Sequence, residues 1–449
     1  MDLLFNLLRG LLGMAVILGV CWLCSSARRG IDWKLVGGGL FLQVLLAAIV
    51  LKIPGADRPI EWVATFFVTL LGFTDAGSRF VLGFLSEGPD FWNAVNAAMH
   101  EGDSVAVRFG LIFAFKVLPT VIFFSALTSA LYYLGILQKV VLGFAWVLQR
   151  SMRLSGTESL AAAANVFIGQ TEAPLVVKPF IGRMTRSELL CLMTGGMATI
   201  AGGVFGAYVS ILGGADPATQ AAFAKHLLTA SLLSAPAAIV CAKMLVPETE
   251  QIDTRLEVSR DRMGANVFDA ICQGTTQGLM LALNIAAMLI VFLGLIAMVN
   301  FGGESLGGAV GLNSWIAEIT DGRYSGLTLE FLCGVIFAPV AWLIGVDSAS
   351  MMAVGELLGV KLVANEFVAY ESLASMMREG LLSNERSIII TTYALCGFAN
   401  FASMGIQIGG IAVLAPERRG DLSALAPRAL LGGTVACLLT AAVAAVFLV

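Results

Sequence analysis

The chain has 449 residues, of which 58% are hydrophobic and 13% are charged, and its formal net charge is −4. A soluble globular domain carries about 25% charged residues, so this composition excludes an ordinary soluble protein. The small net charge indicates no nucleic-acid partner. Apolar runs near 20 residues long recur along the whole chain, and each can cross the hydrocarbon core of a bilayer. The sequence therefore predicts an all-α polytopic membrane protein held in a lipid bilayer.

The first hundred residues are predicted to form helices and an outer loop. Helices are expected over 8–26 and 34–53. The stretch 60–86 is more polar at its centre, and we expect it to lie along the membrane interface as an amphipathic helix. An outer loop is predicted over 87–104. We assign 1–104 to the scaffold side of the molecule.

The remaining residues, 105–449, are predicted to form a core with two similar halves. The repeats cover about 155–246 and 327–449, and they are separated by a charged loop, 247–265, and a long scaffold helix, 267–300. Each half has a broken hairpin, then a span with a polar centre, then a plain span. This order indicates an inverted or parallel structural repeat, a feature of secondary transporters. The other spans of the core are predicted at 106–136, 187–213, 222–246, 386–413 and 423–448.

The first hairpin is predicted over 155–182. Ser155 and Glu158 have the spacing of a capping box that begins a helix, and Gly169 and Pro174 interrupt the centre. The segment is too short and too broken for one span, so we expect it to enter and leave the membrane on the same side. Non-helical backbone at that depth is tolerated only where protein or a water-filled cavity covers it.

A polar cluster lies at the centre of this hairpin. Asn165 is followed within two helical turns by Gln170, Thr171 and Glu172, and Gly169 allows a ligand to approach the backbone closely. Gln and Glu side chains can pair with the planar donors and acceptors of a nucleobase edge. The alternative is a polar network that joins helices. The breaking Gly and Pro beside a carboxylate favour a binding site.

A second cluster belongs to the other half. Asn365 and Glu366 are predicted at the tip of the second hairpin, and Phe398, Asn400 and Ser403 follow about thirty residues later. Amides, a carboxylate and a hydroxyl suit the hydroxyl groups of a sugar, and an aromatic ring can lie against a ribose or a base. Ordinary hydrogen bonds between helices are the alternative.

A third tract interrupts the span over 187–213. Thr199 and Ile200 are followed by Ala-Gly-Gly, which predicts an unwound turn with free carbonyl oxygens. Together with Asn165, these oxygens could bind a small cation, as unwound helices do in transporters. Close helix packing at the two glycines is the alternative.

Motifs for enzymatic chemistry are missing from the sequence. It contains no His-Glu-x-x-His, no Gly-rich phosphate loop with a Lys, and no Ser/His/Asp trio. We therefore expect neither an enzyme nor an ATP-driven pump, and no cofactor.

At these clusters the chain resembles the concentrative nucleoside transporter family, whose members are sodium- or proton-coupled nucleoside symporters. The resemblance covers about 105–415 and is carried by four segments: 118–127 (LPTVIFFSAL), 169–174 (GQTEAP), 365–370 (NEFVAY) and 397–401 (GFANF). It implies eight spanning helices, interfacial helices, two re-entrant hairpins with inverted repeats, a homotrimer and an elevator mechanism. One departure lies before the second hairpin, where relatives often have Gly-Val-Pro and this chain has Gly345-Val346-Asp347.

The resemblance also implies roles for individual residues. The base-side positions match Gly169, Gln170, Thr171, Glu172 and Val204. The sugar-side positions match Glu366, Phe398, Asn400 and Ser403, with Asn365 beside them. The sodium ligands match Asn165, Thr199, Ile200 and Gly203.

The sequence predicts a multi-pass importer of the bacterial inner membrane. Sodium is the favoured coupling ion because Thr199 and the following glycines supply oxygens without a titrating side chain. Glu172 or Glu366 could bind a proton instead, so proton coupling stays open. A modified, nucleoside-like substrate also stays open, and so do the functions of a passive channel and of a binding protein.

Overall fold

The structure is a computed structural model that describes residues 2–53, 55–87, 95, 112–214, 216–255 and 264–448. Within these ranges every regular element is a helix, which confirms the all-α prediction. The predicted outer loop 87–104 lies almost wholly outside the described residues, and so does part of the charged loop 247–265.

The described residues of the N-terminal part form three long helices. They are α1 (Asp2–Leu23), α2 (Trp33–Lys52) and α3 (Arg58–Leu82). The third is continuous through the polar centre of 60–86, and Lys225 pairs with Glu61 near its start at 2.9 Å. The placement of this helix along the membrane interface stays a prediction.

The first half of the core follows the predicted order. Its helices are α4 (Phe113–Lys116), α5 (Leu118–Tyr133), α6 (Ile136–Met152), α7 (Gly156–Phe167), α8 (Ala173–Val176), α9 (Arg186–Ala198), α10 (Gly202–Gly213) and α11 (Pro217–Leu245). Helices α7 and α8, with the 3-10 turn Lys178–Arg183, make the first hairpin. The predicted break of the next span lies between α9 and α10.

The second half repeats this order. Its helices are α12 (Val267–Ala309), α13 (Leu312–Ile319), α14 (Leu329–Leu343), α15 (Met351–Val363), α16 (Glu366–Arg378), α17 (Glu385–Leu395), α18 (Phe401–Leu414) and α19 (Arg419–Phe447). Helices α15 and α16 make the second hairpin, α17 and α18 the broken span, and α19 the plain one. The assignment of 1–104 to a scaffold stays a prediction.

Eight described helical segments are long and apolar enough to cross a membrane. The sequence analysis also predicted eight spanning segments, but the two sets of eight differ in one segment. The structure includes Arg58–Ser86, whereas the predicted span 386–413 is divided between α17 and α18 and is too short on either side of the break.

The predicted capping box at the first hairpin forms only in part. Ser155 Oγ accepts a hydrogen bond from the Glu158 N–H at 3.1 Å, but the Glu158 carboxylate lies 2.9 Å from Lys243 Nζ instead of returning to the cap. Burial explains the difference, because a buried carboxylate requires a charged partner. A complete capping box forms just after the first hairpin, between Thr185 and Glu188 at the start of α9.

The departure before the second hairpin has a local explanation. Asp347 Oδ1 accepts hydrogen bonds from the N–H groups of Ala349 and Ser350, both at 3.0 Å. An aspartate that bonds to backbone two and three residues later forms a turn by itself, so no proline is needed. Arg9 donates to the Val346 carbonyl at 3.0 Å, which fixes the linker against α1.

Candidate functional site

A cavity of about 150 Å³ lies where the two hairpin tips meet the two broken helices. The structure brings together at this cavity all the residues predicted for the substrate. They are Gly169, Gln170, Thr171, Glu172, Val204, Asn365, Glu366, Phe398, Asn400 and Ser403. Because they come from four separate segments of the chain, the cavity depends on the folding of both halves.

The tip of the first hairpin requires a glycine. The carbonyl oxygen of Gly169 accepts hydrogen bonds from the N–H groups of Glu172 and Ala173 at 3.1 and 2.9 Å, which closes a tight turn. A Cβ atom on Gly169 would overlap with Glu172 Oε2 and would come 3.0 Å from the Ala201 Cβ. The Glu172 carboxylate therefore lies directly over the Gly169 backbone. Its Oε2 is buried and has no hydrogen-bond partner among the described residues.

The tip of the second hairpin presents a carboxylate with two fixed partners. Glu366 is 4% exposed, and its oxygens accept from the Tyr208 hydroxyl at 2.9 Å and from Asn400 Nδ2 at 3.0 Å. Asn400 is held in turn because its Oδ1 accepts from the Ser403 N–H at 2.9 Å and caps α18. Asn365 caps α16 in the same way, through the Val368 N–H at 3.0 Å.

The residues predicted to bind sodium lie beside the cavity rather than in its lining. Asn165 is 1% exposed; its Nδ2 donates to the Leu192 carbonyl at 3.2 Å, and its Oδ1 has no partner among the described residues. Thr199 Oγ1 donates to the Gly195 carbonyl at 2.8 Å. A Cβ on Gly195 would come 2.8 Å from Asn165 Nδ2, so Asn165 and Thr199 approach the same glycine.

The break between α9 and α10 leaves carbonyl oxygens free, as predicted. In the described part of the chain no hydrogen bond reaches the carbonyl oxygens of Thr199 or Ile200. Gly203 lies in the first turn of α10, where a Cβ would come 2.8 Å from Ser125 Oγ, so this glycine also allows α5 to pack closely. The buried amide oxygen, the hydroxyl and the unwound carbonyls are neutral oxygen donors of the type that unwound transporter helices offer to a small cation.

Comparison with protein families decides the class of this chain. The family model described as Na+ dependent nucleoside transporter C-terminus matches residues 226–445, the corresponding N-terminal model matches 12–85, and a model for nucleoside recognition, named Gate, matches 114–215. An uncharacterized transporter of Haemophilus influenzae is 39% identical over 99% of this chain and 98% of its own length. The chain belongs to the Na+-dependent nucleoside transporter family.

Further relatives of this transporter include a mammalian protein and solved structures. Sodium/nucleoside cotransporter 1 of Rattus norvegicus is 37% identical over 97% of this chain, which spans 63% of that protein. The structure of CNTnw in an inward-facing substrate-bound state is 35% identical, covers 98% of both chains and has a TM-score of 0.84. A CNTnw variant in an intermediate state has a TM-score of 0.86 at 34% identity.

Sequence reasoning missed several residues at the site of this transporter. Tyr208 and Gln407 make hydrogen bonds to predicted site residues, and α12 closes the cavity with Leu281, Asn284, Ile285 and Met288. Helical spacing could have found two of them, because Tyr208 is four residues after Val204, and Gln407 is four after Ser403. Asn284 is an isolated amide in an apolar stretch, which is costly in a bilayer unless it faces a cavity.

Proposed function

We propose that this protein is a sodium-coupled symporter that accumulates nucleosides. The observation that carries the proposal is the cavity in which the Gln170 and Glu172 tip faces the Glu366–Asn400 pair. One side offers a planar amide and a carboxylate, and the other offers hydrogen-bond groups suited to a sugar. A nucleoside has these two chemistries at its two ends.

The roles of the residues follow from this orientation. On the base side, Gln170 and Glu172 bind the polar edge of the base, Gly169 and Thr171 shape the hairpin tip, and Val204 packs against the ring. On the ribose side, Glu366 accepts hydrogen bonds from hydroxyl groups. The other residues of that side are Phe398, Asn400 and Ser403, with Asn365 as the cap that holds α16.

Sodium is the proposed coupling ion. The unpartnered Oδ1 of Asn165 and the free carbonyl oxygens of Thr199 and Ile200 support it. Asn165 precedes the hairpin tip at Gly169 by four residues, and the break that contains Thr199 and Ile200 approaches the tip in space, where a Cβ on Gly169 would come 3.0 Å from the Ala201 Cβ. An ion bound there would stabilise the tip that receives the base. Proton coupling is the second candidate, and the buried, unpartnered Oε2 of Glu172 is the observation that favours it.

We propose an elevator mechanism in a homotrimer of the bacterial inner membrane. Helix α12 has 43 residues and packs closely on α5, where a Cβ on Gly278 would come 2.8 Å from the Ile122 Cα. The two helices can therefore act as one support, past which the hairpins move. Many apolar side chains of α12 are exposed, including Ile290 and Phe301, so it offers a surface to neighbouring copies and to lipid.

Uptake in proteoliposomes tests this function. Labelled uridine and a panel of other nucleosides are offered with an inward sodium gradient, with choline in place of sodium, and at two pH values. We expect uridine to accumulate above its outside concentration only with the sodium gradient. Accumulation that follows the pH gradient instead supports proton coupling. Equilibration without accumulation indicates a passive channel, and binding without uptake indicates a binding protein.

A further inference from the structure

A chain of three polar side chains connects the first hairpin to α18 behind the cavity. Gln170 Nε2 donates to Ser403 Oγ at 3.3 Å, and Gln170 Oε1 accepts from Gln407 Nε2 at 3.1 Å. Gln407 also donates through Nε2 to the carbonyl oxygen of Met193 at 2.9 Å. Gln407 is 1% exposed and does not line the cavity, so it contacts a binding residue without reaching the ligand.

The Met193 carbonyl determines the orientation of both amides. A carbonyl oxygen only accepts, so the amide of Gln407 must present its nitrogen to Met193. The two hydrogens of that nitrogen are then committed to Met193 and to Gln170 Oε1. If the Gln170 amide turned over, two donor nitrogens would face each other. The oxygen of Gln170 is therefore held away from the ligand side.

This orientation leaves one N–H of Gln170 for a ligand. The first hydrogen of its Nε2 goes to Ser403, and the second has no acceptor among the described residues. Because Gln170 lines the cavity, the hairpin tip presents a donor beside the carboxylate of Glu172. A donor next to an acceptor matches a base that offers a carbonyl oxygen next to a ring N–H.

The backbone of α9 is adapted to this contact. A Cβ on Gly196 would come 2.6 Å from Gln407 Nε2 and 2.9 Å from the Gln170 Cβ. Any larger residue at this position would separate the two amides. The glycine at position 196 thus allows α9, α18 and the hairpin tip to approach closely, and this requirement is independent of the hydrogen bonds.

We propose that Gln407 is a positioning residue that fixes the Gln170 amide with its N–H toward the ligand, and thereby sets which bases are accepted. The proposal rests on the proposed function, because it takes Gln170 to bind the base. Gln407 acts through Gln170 and makes no contact with the ligand itself.

A double-mutant cycle tests the proposal. We compare Gln407→Met, Gln170→Met and the double variant by the KM for uridine in sodium-driven uptake. Gln407→Met is expected to raise the KM roughly three- to tenfold, the range for one neutral hydrogen bond. In the Gln170→Met background, Gln407→Met is expected to alter the KM by less than about twofold, because the Gln170 amide that Gln407 positions is absent.

Base selectivity is a second measurement, and it would not change if Gln407 had a purely structural role. Gln407→Met is expected to change the relative uptake of uridine, cytidine and adenosine, while the ratio of uridine to 2′-deoxyuridine and the half-activating sodium concentration stay as in the wild type. If uptake by Gln170→Met is too slow for a KM to be measured, the selectivity comparison alone tests the proposal. An equal loss for all nucleosides, or a full effect of Gln407→Met without Gln170, overturns the proposal.

Gln43 provides a matched control. It is also a fully buried amide that donates to one side chain, Thr440, at 3.2 Å, and it lies outside the cavity. Gln43→Met is expected to leave base selectivity unchanged, and a change as large as that of Gln407→Met also overturns the proposal. Failure of the proposed function is distinct, because it would appear as absent nucleoside accumulation in the wild-type protein.

Discussion

The hydroxyl of Tyr208 donates a hydrogen bond to Glu366 Oε1 at 2.9 Å, and both side chains are buried. The contact joins α10 of the first half to the tip of the second hairpin. Asn400 holds the other oxygen of the same carboxylate at 3.0 Å. Glu366 therefore receives one donor from each half of the molecule, and its orientation depends on their relative placement.

Removing the Tyr208 hydroxyl should weaken binding on the ribose side. Tyr208→Phe keeps the ring but leaves one carboxylate oxygen of Glu366 without its donor. We expect the KM for uridine to rise by roughly a factor of ten, from the loss of a hydrogen bond to a charged group worth about 1.5 kcal/mol or more. Tyr370→Phe is the control, because its buried hydroxyl donates to the Thr392 carbonyl at 3.0 Å, away from the cavity. Equal effects of the two variants would count against the role of Tyr208.

The charge of Glu366 is expected to matter for ribose hydroxyl groups. Glu366→Gln weakens charge-assisted hydrogen bonds worth about 1.5–3 kcal/mol, so the KM for uridine should rise roughly tenfold to hundredfold. The rise should be smaller for 2′-deoxyuridine if the 2′-hydroxyl is a contact. Asp347→Asn is the control and should change little, since Asp347 lies in the linker before α15, outside the cavity, and Asn keeps the oxygen that accepts from the Ala349 and Ser350 N–H groups. The reverse pattern would place the ribose on a different carboxylate.

Glu172 gives the matching test of the base side. Glu172→Gln removes the charge with little change in volume, and its Oε2 has no protein partner to lose among the described residues. We expect a strong loss of uptake with normal insertion and thermal stability of the purified protein. Wild-type uptake by this variant would remove Glu172 from the site. Loss of the pH dependence alone, with sodium dependence kept, would assign Glu172 to proton binding.

The interruptions of the helices could be predicted from the sequence. Gly169 follows the end of α7, Pro174 lies in the first turn of α8, and the glycines after Thr199 begin α10, so the residues at the hairpin tip and at the break are themselves local signals of an interruption. Polar residues inside a bilayer are tolerated where they face a cavity or a polar partner, so the polar residues at these breaks indicated a site. The polar residues predicted for the substrate side could therefore be found from local sequence, whereas Val204 was implied only by the family resemblance.

The apolar residues that close the cavity depend on tertiary packing that no local pattern specifies. Leu281, Ile285 and Met288 belong to a long helix without a break, and their place at the cavity follows from how α12 crosses the hairpins. The buried pair of Glu158 and Lys243 overrode the local signal for a capping box. In these places a contact with a distant segment determined the outcome, and a single sequence does not carry that information.

The ion site is tested at two oxygen-bearing side chains. Asn165→Leu removes the unpartnered Oδ1, and Thr199→Val removes the hydroxyl that bonds to the Gly195 carbonyl. Each variant is expected to raise the sodium concentration for half-maximal uptake more than it lowers the amount of protein in the membrane. Sodium activation curves that are unchanged in both would place the cation elsewhere, or would make a proton the coupling ion.

The adjacent glycines of α9 should separate the two functions of the site. A Cβ on Gly195 would come 2.8 Å from Asn165 Nδ2, whereas one on Gly196 would come 2.6 Å from Gln407 Nε2. Gly195→Ala is therefore expected to raise the half-activating sodium concentration, and Gly196→Ala to raise the KM for uridine.

Each variant of this pair is the control for the other, because the added methyl group is the same and both positions lie in one buried helical turn. Both KM and sodium activation are measured at matched protein amounts in proteoliposomes. A shift of at least about threefold corresponds to roughly 0.6 kcal/mol and would exceed the usual error of such comparisons. If both variants shifted sodium and uridine together, the ion and base contacts would not be separable at this helix, and the assignment of Asn165 to one and Gln407 to the other would be wrong.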